Sequence, residues 1–185
     1  MKRTFVAIKL PISKQTAELV EDIKVQLSDE KIKWVDTWNM HITLYFLGDT
    51  DEELIGDIGE ALKEKLKDFK SFIIQCKGLG IFKNIYNPKV LWFGIKKLEV
   101  LKYLKEKVDN VLEEFGFAKE EREFKPHLTL GRIKYIKNQL DLKNILSQYK
   151  DADIQEFKIC EVVFYESQLT PAGPIYKVIK KFELN

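Results

Sequence analysis

The chain has only two histidines, His41 and His127, and each opens nearly the same tetrapeptide. One reads His41-Ile42-Thr43-Leu44 and the other His127-Leu128-Thr129-Leu130. On a strand, alternate residues share a face, so His41 lies beside Thr43 and His127 beside Thr129. The intervening Ile42, Leu44, Leu128 and Leu130 then face a core. Imidazoles titrate near neutrality, so such a pair can serve as general acid and general base. Threonine hydroxyls can donate to the non-bridging oxygens of a phosphate. In-line displacement at phosphorus needs a base on one side and an acid on the other, which two facing His-x-Thr pairs would supply. A strained cyclic phosphodiester suits such a site without an obligatory metal. Catalytic zinc usually takes three protein ligands, and no His-x-x-x-His or Cys-x-x-Cys pattern occurs. No Gly-x-Ser-x-Gly nucleophile elbow is present either.

The elements that must position these residues repeat. A compact apolar strand, Thr4 to Leu10, is stopped by Pro11. A helix follows from Ser13 to Leu27, with Ser13 as N-cap and Thr16, Val20, Ile23 and Leu27 on one face. The first histidine strand runs from Met40 to Leu47. Gly48-Asp49-Thr50 turns the chain, and Thr50 with Glu53 forms a capping-box pattern that opens a second helix. Strand character resumes at Phe72 to Cys76 and gives way to an irregular stretch from Gly78 to Pro88. The order then begins again: strand Val90–Ile95, helix Leu98–Phe115, histidine strand Pro126–Ile133, helix Asn138–Tyr149 and strand Phe157–Tyr165. A final strand, Tyr176 to Leu184, closes the chain. Phe5 precedes His41 by 36 positions and Phe93 precedes His127 by 34, with Phe5-Val-Ala-Ile-Lys9 resembling Phe93-Gly-Ile-Lys-Lys97. The period, about 85 residues, is too long for a solenoid and fits two similar lobes. The expected organisation is one bilobal domain over 1–185, with lobe-like repeats near 3–80 and 90–166 and a C-terminal hairpin strand at 174–184.

Composition narrows the function classes. The 185 residues, 45% hydrophobic, suffice for a packed core, which excludes disorder. Thirty-one basic against 29 acidic side chains leave a charge of +2, without the excess of a broad nucleic-acid binder. The longest apolar run, Val90 to Ile95, is too short to span a bilayer, and Phe5 to Ile8 is too short for a signal peptide. Cys76 and Cys160 suit a reducing cytoplasm rather than a disulfide framework. No Gly-rich nucleotide loop supports ATP-dependent ligation.

The paired His-x-Thr motifs resemble the 2H phosphoesterase superfamily, and within it the RNA 2′,3′-cyclic phosphodiesterases, once described as 2′-5′ RNA ligases. The likeness spans the chain. Arg3-Thr-Phe-Val-Ala-Ile-Lys-Leu-Pro11 is similar to the family's opening strand. Lys33-Trp-Val35 and His41-Ile-Thr-Leu-Tyr-Phe-Leu-Gly48 resemble its first motif block, and Phe124-Lys-Pro-His-Leu-Thr-Leu-Gly-Arg132 its second. Ser167, Leu169, Pro171, Gly173, Pro174 and Tyr176 resemble its C-terminal hairpin. The resemblance implies an α+β bilobal fold with pseudo-two-fold symmetry, each lobe an antiparallel sheet with two helices and the cleft between them. It implies hydrolysis of a terminal 2′,3′-cyclic phosphate on RNA to a 2′-phosphate, with no cofactor and no metal. His41 would be the proton donor to the departing 3′ oxygen and His127 the proton acceptor from water. Thr43 and Thr129 would hold the phosphate. The partner is RNA with a cyclic phosphate end, tRNA fragments among the candidates, acted on by a cytoplasmic monomer that needs no membrane.

Two further residues are candidates for substrate contact. Arg132 matches the family arginine after the second motif, but strict alternation sets it opposite His127 unless Gly131 permits a bulge. Tyr45 shares the His41–Thr43 face under the same alternation and could line the cleft or stack on a base. Phe5, Trp34, Trp38 and Tyr176 read as core or cleft wall. Alternatives are 2′-5′ ligation by the reverse reaction, a small cyclic nucleotide substrate at the same site, or an RNA-end binding module with little turnover.

Overall fold

A computed structural model describes residues 1–96, 98–171 and 173–185. It contains two antiparallel sheets and four α-helices. The strands are β1 Lys2–Lys9, β2 Lys31–Trp34, β3 His41–Thr50, β4 Phe72–Phe82, β5 Val90–Lys96, β6 His127–Tyr135, β7 Asp153–Ile159, β8 Glu161–Leu169 and β9 Pro174–Glu183. The helices are α1 Lys14–Gln26, α2 Glu52–Leu66, α3 Leu98–Glu114 and α4 Gln139–Gln148. One sheet has the order β3-β1-β8-β9 and the other β2-β6-β5-β4-β7. The expected pair of antiparallel sheets with four helices is therefore present. Each histidine strand belongs to a different sheet.

Each sheet draws strands from both halves of the chain. The first-half strand β4 pairs with second-half β5 across a hairpin, and the late strand β8 pairs with β1. Pairing also sets the internal equivalence. Ala7 lies opposite Thr43 and Trp92 lies opposite Thr129, while Lys9 lies opposite His41 and Gly94 opposite His127. Phe5 thus matches Val90, and the sequence match of Phe5 to Phe93 was three residues out of register. The apolar segments looked alike, but hydrogen-bond pairing to the histidine strand decides the alignment.

Local chemistry explains the elements. Ser13 Oγ accepts from the Thr16 N–H at 3.1 Å and caps α1, as expected. Asn138 Oδ1 caps α4 through the Leu140 N–H at 3.0 Å. Each such cap contributes about 1 kcal/mol. The cap of α2 is Asp51, whose carboxylate accepts from the Glu53 N–H, and not Thr50. Thr50 remains in β3, its hydroxyl 2.7 Å from that of Thr4 on β1. The core runs continuously from Val20 and Ile23 on α1 to Leu104 and Val108 on α3. Burying each such side chain contributes roughly 1.5–3 kcal/mol. α2 packs against α3 and β9, and α3 against β3.

Several elements differ from the sequence expectation: β3 runs on through Gly48 and Asp49 to Thr50, where a turn was expected. β4 continues through Gly78 and Gly80 to Phe82, where an irregular stretch was expected. Gly78 adopts φ +76° at a break in the β4–β5 register, so the strand bends there instead of ending. Phe157 to Tyr165 is two strands, β7 and β8, in different sheets, divided at Cys160. The short strand β2, on the edge beside β6, was not anticipated. Cys76 is buried and unpaired, its thiol pushed up to about 12 by burial, and Cys160 is exposed and unpaired. Among the described residues no helix is long and apolar enough to cross a membrane.

Candidate active site

His41 and His127 each occupy the first position of their strand. The same backbone contact fixes both rings. His41 Nδ1 is 2.7 Å from the Asn39 carbonyl, and His127 Nδ1 is 2.8 Å from the Lys125 carbonyl. A carbonyl oxygen only accepts, so each Nδ1 carries the proton and each Nε2 is left for chemistry. Aromatic rings hold the imidazoles edge-on. Tyr176 meets His41 with centroids 5.2 Å apart at 88°, and Phe82 meets His127 at 4.6 Å and 88°. Phe5 lies 5.1 Å from His41 and 5.0 Å from Tyr176, so the three rings form one cluster.

Both histidines, both threonines and Arg132 line one cleft of about 510 Å³. Trp34, Phe46 and Tyr176 form part of its wall. Burial holds both imidazoles below the ordinary 6.5. The Arg132 charge lowers each further, and for His41 the partner histidine does so as well. Backbone hydrogen bonding opposes the shift without reversing it. Among the described residues no group of three or more His, Cys, Asp and Glu side chains converges.

Paired bulges decide which neighbours reach the cleft. On β3, Thr43 pairs with Ala7 and Tyr45 with Val6, so Leu44 is the extra residue. On β6, Thr129 pairs with Trp92 and Gly131 with Leu91, so Leu130 is the extra residue. Alternation flips after each bulge. Arg132 is brought to the His127 face, the condition that Gly131 had to allow. Tyr45 is turned away. Its ring is buried, its hydroxyl donates to the Ala118 carbonyl at 2.6 Å, and the buried Lys105 ammonium lies 5.1 Å from its centroid. Tyr45 is thus a core residue, and Phe46 takes the place expected for it, 49% exposed with the Arg3 guanidinium 4.6 Å over its ring. The signal for Phe46 was the run Leu44-Tyr45-Phe46-Leu47, four apolar residues that cannot all alternate.

Gly131 is under tight control. A Cβ there would lie 2.6 Å from Ile32 Cγ2 and 3.2 Å from Trp34, on the adjoining strand β2. Gly131→Ala is therefore expected to cost about 1–3 kcal/mol in urea unfolding and to lower activity by moving Arg132. A variant as stable and as active as the parent would contradict this.

Comparisons with known proteins agree with the geometry. The chain matches the LigT like phosphoesterase description over residues 6–92 and 96–176. It is 40% identical to an RNA 2′,3′-cyclic phosphodiesterase of Methanocaldococcus jannaschii, covering 97% of this chain and 99% of that one. It is 39% identical to the enzyme of the same name from Thermotoga maritima, covering 96% and 92%. Its fold superposes on a Thermus thermophilus protein with a TM-score of 0.79 at 24% identity, covering 98% and 97%. An E. coli LigT structure in complex with 3′-AMP gives 0.77 at 20% identity, covering 100% and 98%. With both histidine strands inside the matched segments and relatives similar from end to end, the chain belongs to the LigT-like phosphoesterase family.

Proposed function

We propose that this protein is an RNA 2′,3′-cyclic phosphodiesterase that hydrolyses the terminal ring to a 2′-phosphate without a metal. One observation carries the reading: two imidazoles, each held with Nε2 free, share a cleft with two threonines and Arg132. Full-length relatives bearing that activity's name support it.

In the proposed reaction water attacks phosphorus while His127 Nε2 takes its proton. The bond from phosphorus to the 3′ oxygen breaks, and protonated His41 gives its Nε2 proton to that oxygen. The products are a 2′-phosphate and a free 3′-hydroxyl. Thr43 and Thr129 hold the non-bridging oxygens, and Arg132 neutralises their charge. Assigning His41 as donor follows the family resemblance, because the two motifs are nearly symmetric. Both histidines come from one chain, so a monomer suffices. Cyclic-phosphate ends of tRNA fragments, in a reducing cytoplasm, fit the same chemistry.

The test is an RNA oligonucleotide ending in 2′,3′-cyclic phosphate, incubated with chelator. Ring opening at an unchanged rate supports the proposal; no opening rejects it. The pH dependence follows from the lowered histidine values. One ring must be protonated and the other neutral, so the active form of the pair peaks between their coupled values. Both values are depressed, so protonation requires more acid solution, and kcat/KM is expected to peak below pH 6.5. A bound phosphodiester anion raises both values, so kcat should peak at higher pH than kcat/KM. A single alkaline plateau for both parameters would contradict the paired mechanism.

A further inference from the structure

A smaller pocket, about 170 Å³, continues the cleft past His41. Asn39, Met40, His41 and Tyr176 line both, so the two spaces meet at that imidazole. Trp38 stands at this pocket with 70% of its surface exposed. The sequence placed it in the core or the cleft wall, yet it packs into neither apolar core cluster. Trp34 and Trp92 are only partly exposed, and a tryptophan is rarely left as open as Trp38. A 3₁₀ turn, Thr37–Asn39, presents it. The Asn39 N–H donates to the Asp36 carbonyl at 2.9 Å, and the Met40 N–H donates to the Thr37 carbonyl at 3.3 Å. The Asn39 carbonyl of that turn also holds His41 Nδ1. One short turn therefore sets an exposed indole beside the proposed acid.

The pocket also carries charge. Lys9 lies opposite His41 in the β1–β3 pairing, so the two side chains share a sheet face. Lys9 is exposed and has no carboxylate within 4.0 Å among the described residues. Lys181, the other lysine of the pocket, is taken by Glu161 at 3.0 Å. An aromatic face and one uncommitted cation thus adjoin the reacting centre on the His41 side.

The proposed reaction decides which part of the substrate lies there. Water enters on the His127 side, and the 3′ oxygen departs toward His41. That oxygen is on C3′, which bonds C4′, and from C4′ the strand continues in the 5′ direction. The base of the reacting nucleotide is on C1′, next to C2′, whose oxygen stays on phosphorus. The strand is therefore carried past His41, and the reacting base stays with the phosphate side of the ribose.

We infer that the nucleotide preceding the reacting one occupies this pocket, with its base stacked on Trp38 and the phosphate joining the two nucleotides against Lys9. The inference rests on the proposed RNA activity and adds a subsite to it. Stacking on an exposed aromatic ring holds any base, because every base has a π-face. The subsite makes the enzyme prefer a chain of at least two nucleotides without selecting its sequence.

The experiment compares the parent with Trp38→Ala, Trp38→Phe and Lys9→Gln. The probes are a mononucleoside 2′,3′-cyclic phosphate, a dinucleotide with the same end, and that dinucleotide with an abasic first residue. The readout is kcat/KM on each dinucleotide divided by kcat/KM on the mononucleoside, which offers Trp38 and Lys9 nothing to hold. Trp38→Ala should lower the ratio for the intact dinucleotide by about tenfold, and Trp38→Phe should restore most of it. For the abasic dinucleotide the parent and Trp38→Ala should give the same ratio. Lys9→Gln should lower the ratio for both dinucleotides, by an amount that shrinks as salt is raised. A ratio that Trp38→Ala leaves unmoved, including an equal loss on all three substrates, overturns the inference. So does a loss that persists on the abasic dinucleotide. Binding of the dinucleotide ending in a 2′-phosphate, measured by calorimetry, separates the two readings. Trp38-dependent binding without ring opening in the parent would reject the proposed activity while leaving the subsite supported.

Discussion

Replacing either His41 or His127 with alanine is expected to lower kcat on a cyclic-phosphate RNA end by about 10²–10⁴-fold. Each change removes one of the two proposed proton transfers, and the chain has no third imidazole. The two losses should not add. Without the acid, the base gains little by activating water against a poor leaving group, so the double variant should resemble the worse single one. KM should change far less than kcat, because Thr43, Thr129 and Arg132, the proposed phosphate contacts, remain in the cleft. Some residual turnover should survive, since ring strain and the phosphate-binding groups remain. The rings also pack on Tyr176, Phe5 and Phe82, so alanine leaves a gap. His127→Asn and His41→Asn fill more of that space without proton transfer near neutral pH and should be equally slow. A His127→Ala variant turning over at the parent rate would refute the acid–base assignment.

Arg132→Gln is expected to lower kcat/KM by about 10²-fold, the usual cost of losing a charged contact to a transferring phosphoryl oxygen. It should also move the pH profile. The guanidinium depresses both imidazoles, so its removal lets both values rise. The kcat/KM optimum should therefore shift to higher pH. Arg132→Lys retains the charge but not the planar fork, so it should keep the acidic optimum and recover only part of the rate. A residue that merely packs the lobes would change stability and leave the optimum in place. The measurement is kcat/KM from pH 5 to 9 for the three proteins. An unmoved optimum in Arg132→Gln would place the guanidinium outside the reacting centre.

The chemistry of the site was legible because it is written in types and short spacing. Only two histidines exist, each two residues before a threonine, and both reach one cleft. The faces were legible only as far as strict alternation holds. Leu44 and Leu130 each insert one residue, and beyond them the period-two argument inverts. That inversion exchanged Tyr45 for Phe46 and brought Arg132 inward. Sheet membership was less legible still. Nothing in Phe157-Lys-Ile-Cys-Glu-Val162 marks the change of sheet at Cys160, since neither Gly nor Pro interrupts it. The pairing of β4 with β5 and of β8 with β1 depends on long-range contacts that local pattern does not encode.

The central claim is a two-histidine hydrolysis that opens the ring at its 3′ oxygen. Hydrolysis of a 2′,3′-cyclic-phosphate RNA in ¹⁸O-enriched water with chelator, followed by mass spectrometry and phosphate mapping, tests it most directly. One ¹⁸O per turnover is expected, carried on a terminal 2′-phosphate, with the rate insensitive to chelator. A 3′-phosphate product, or a ring left intact until metal is added, would contradict it.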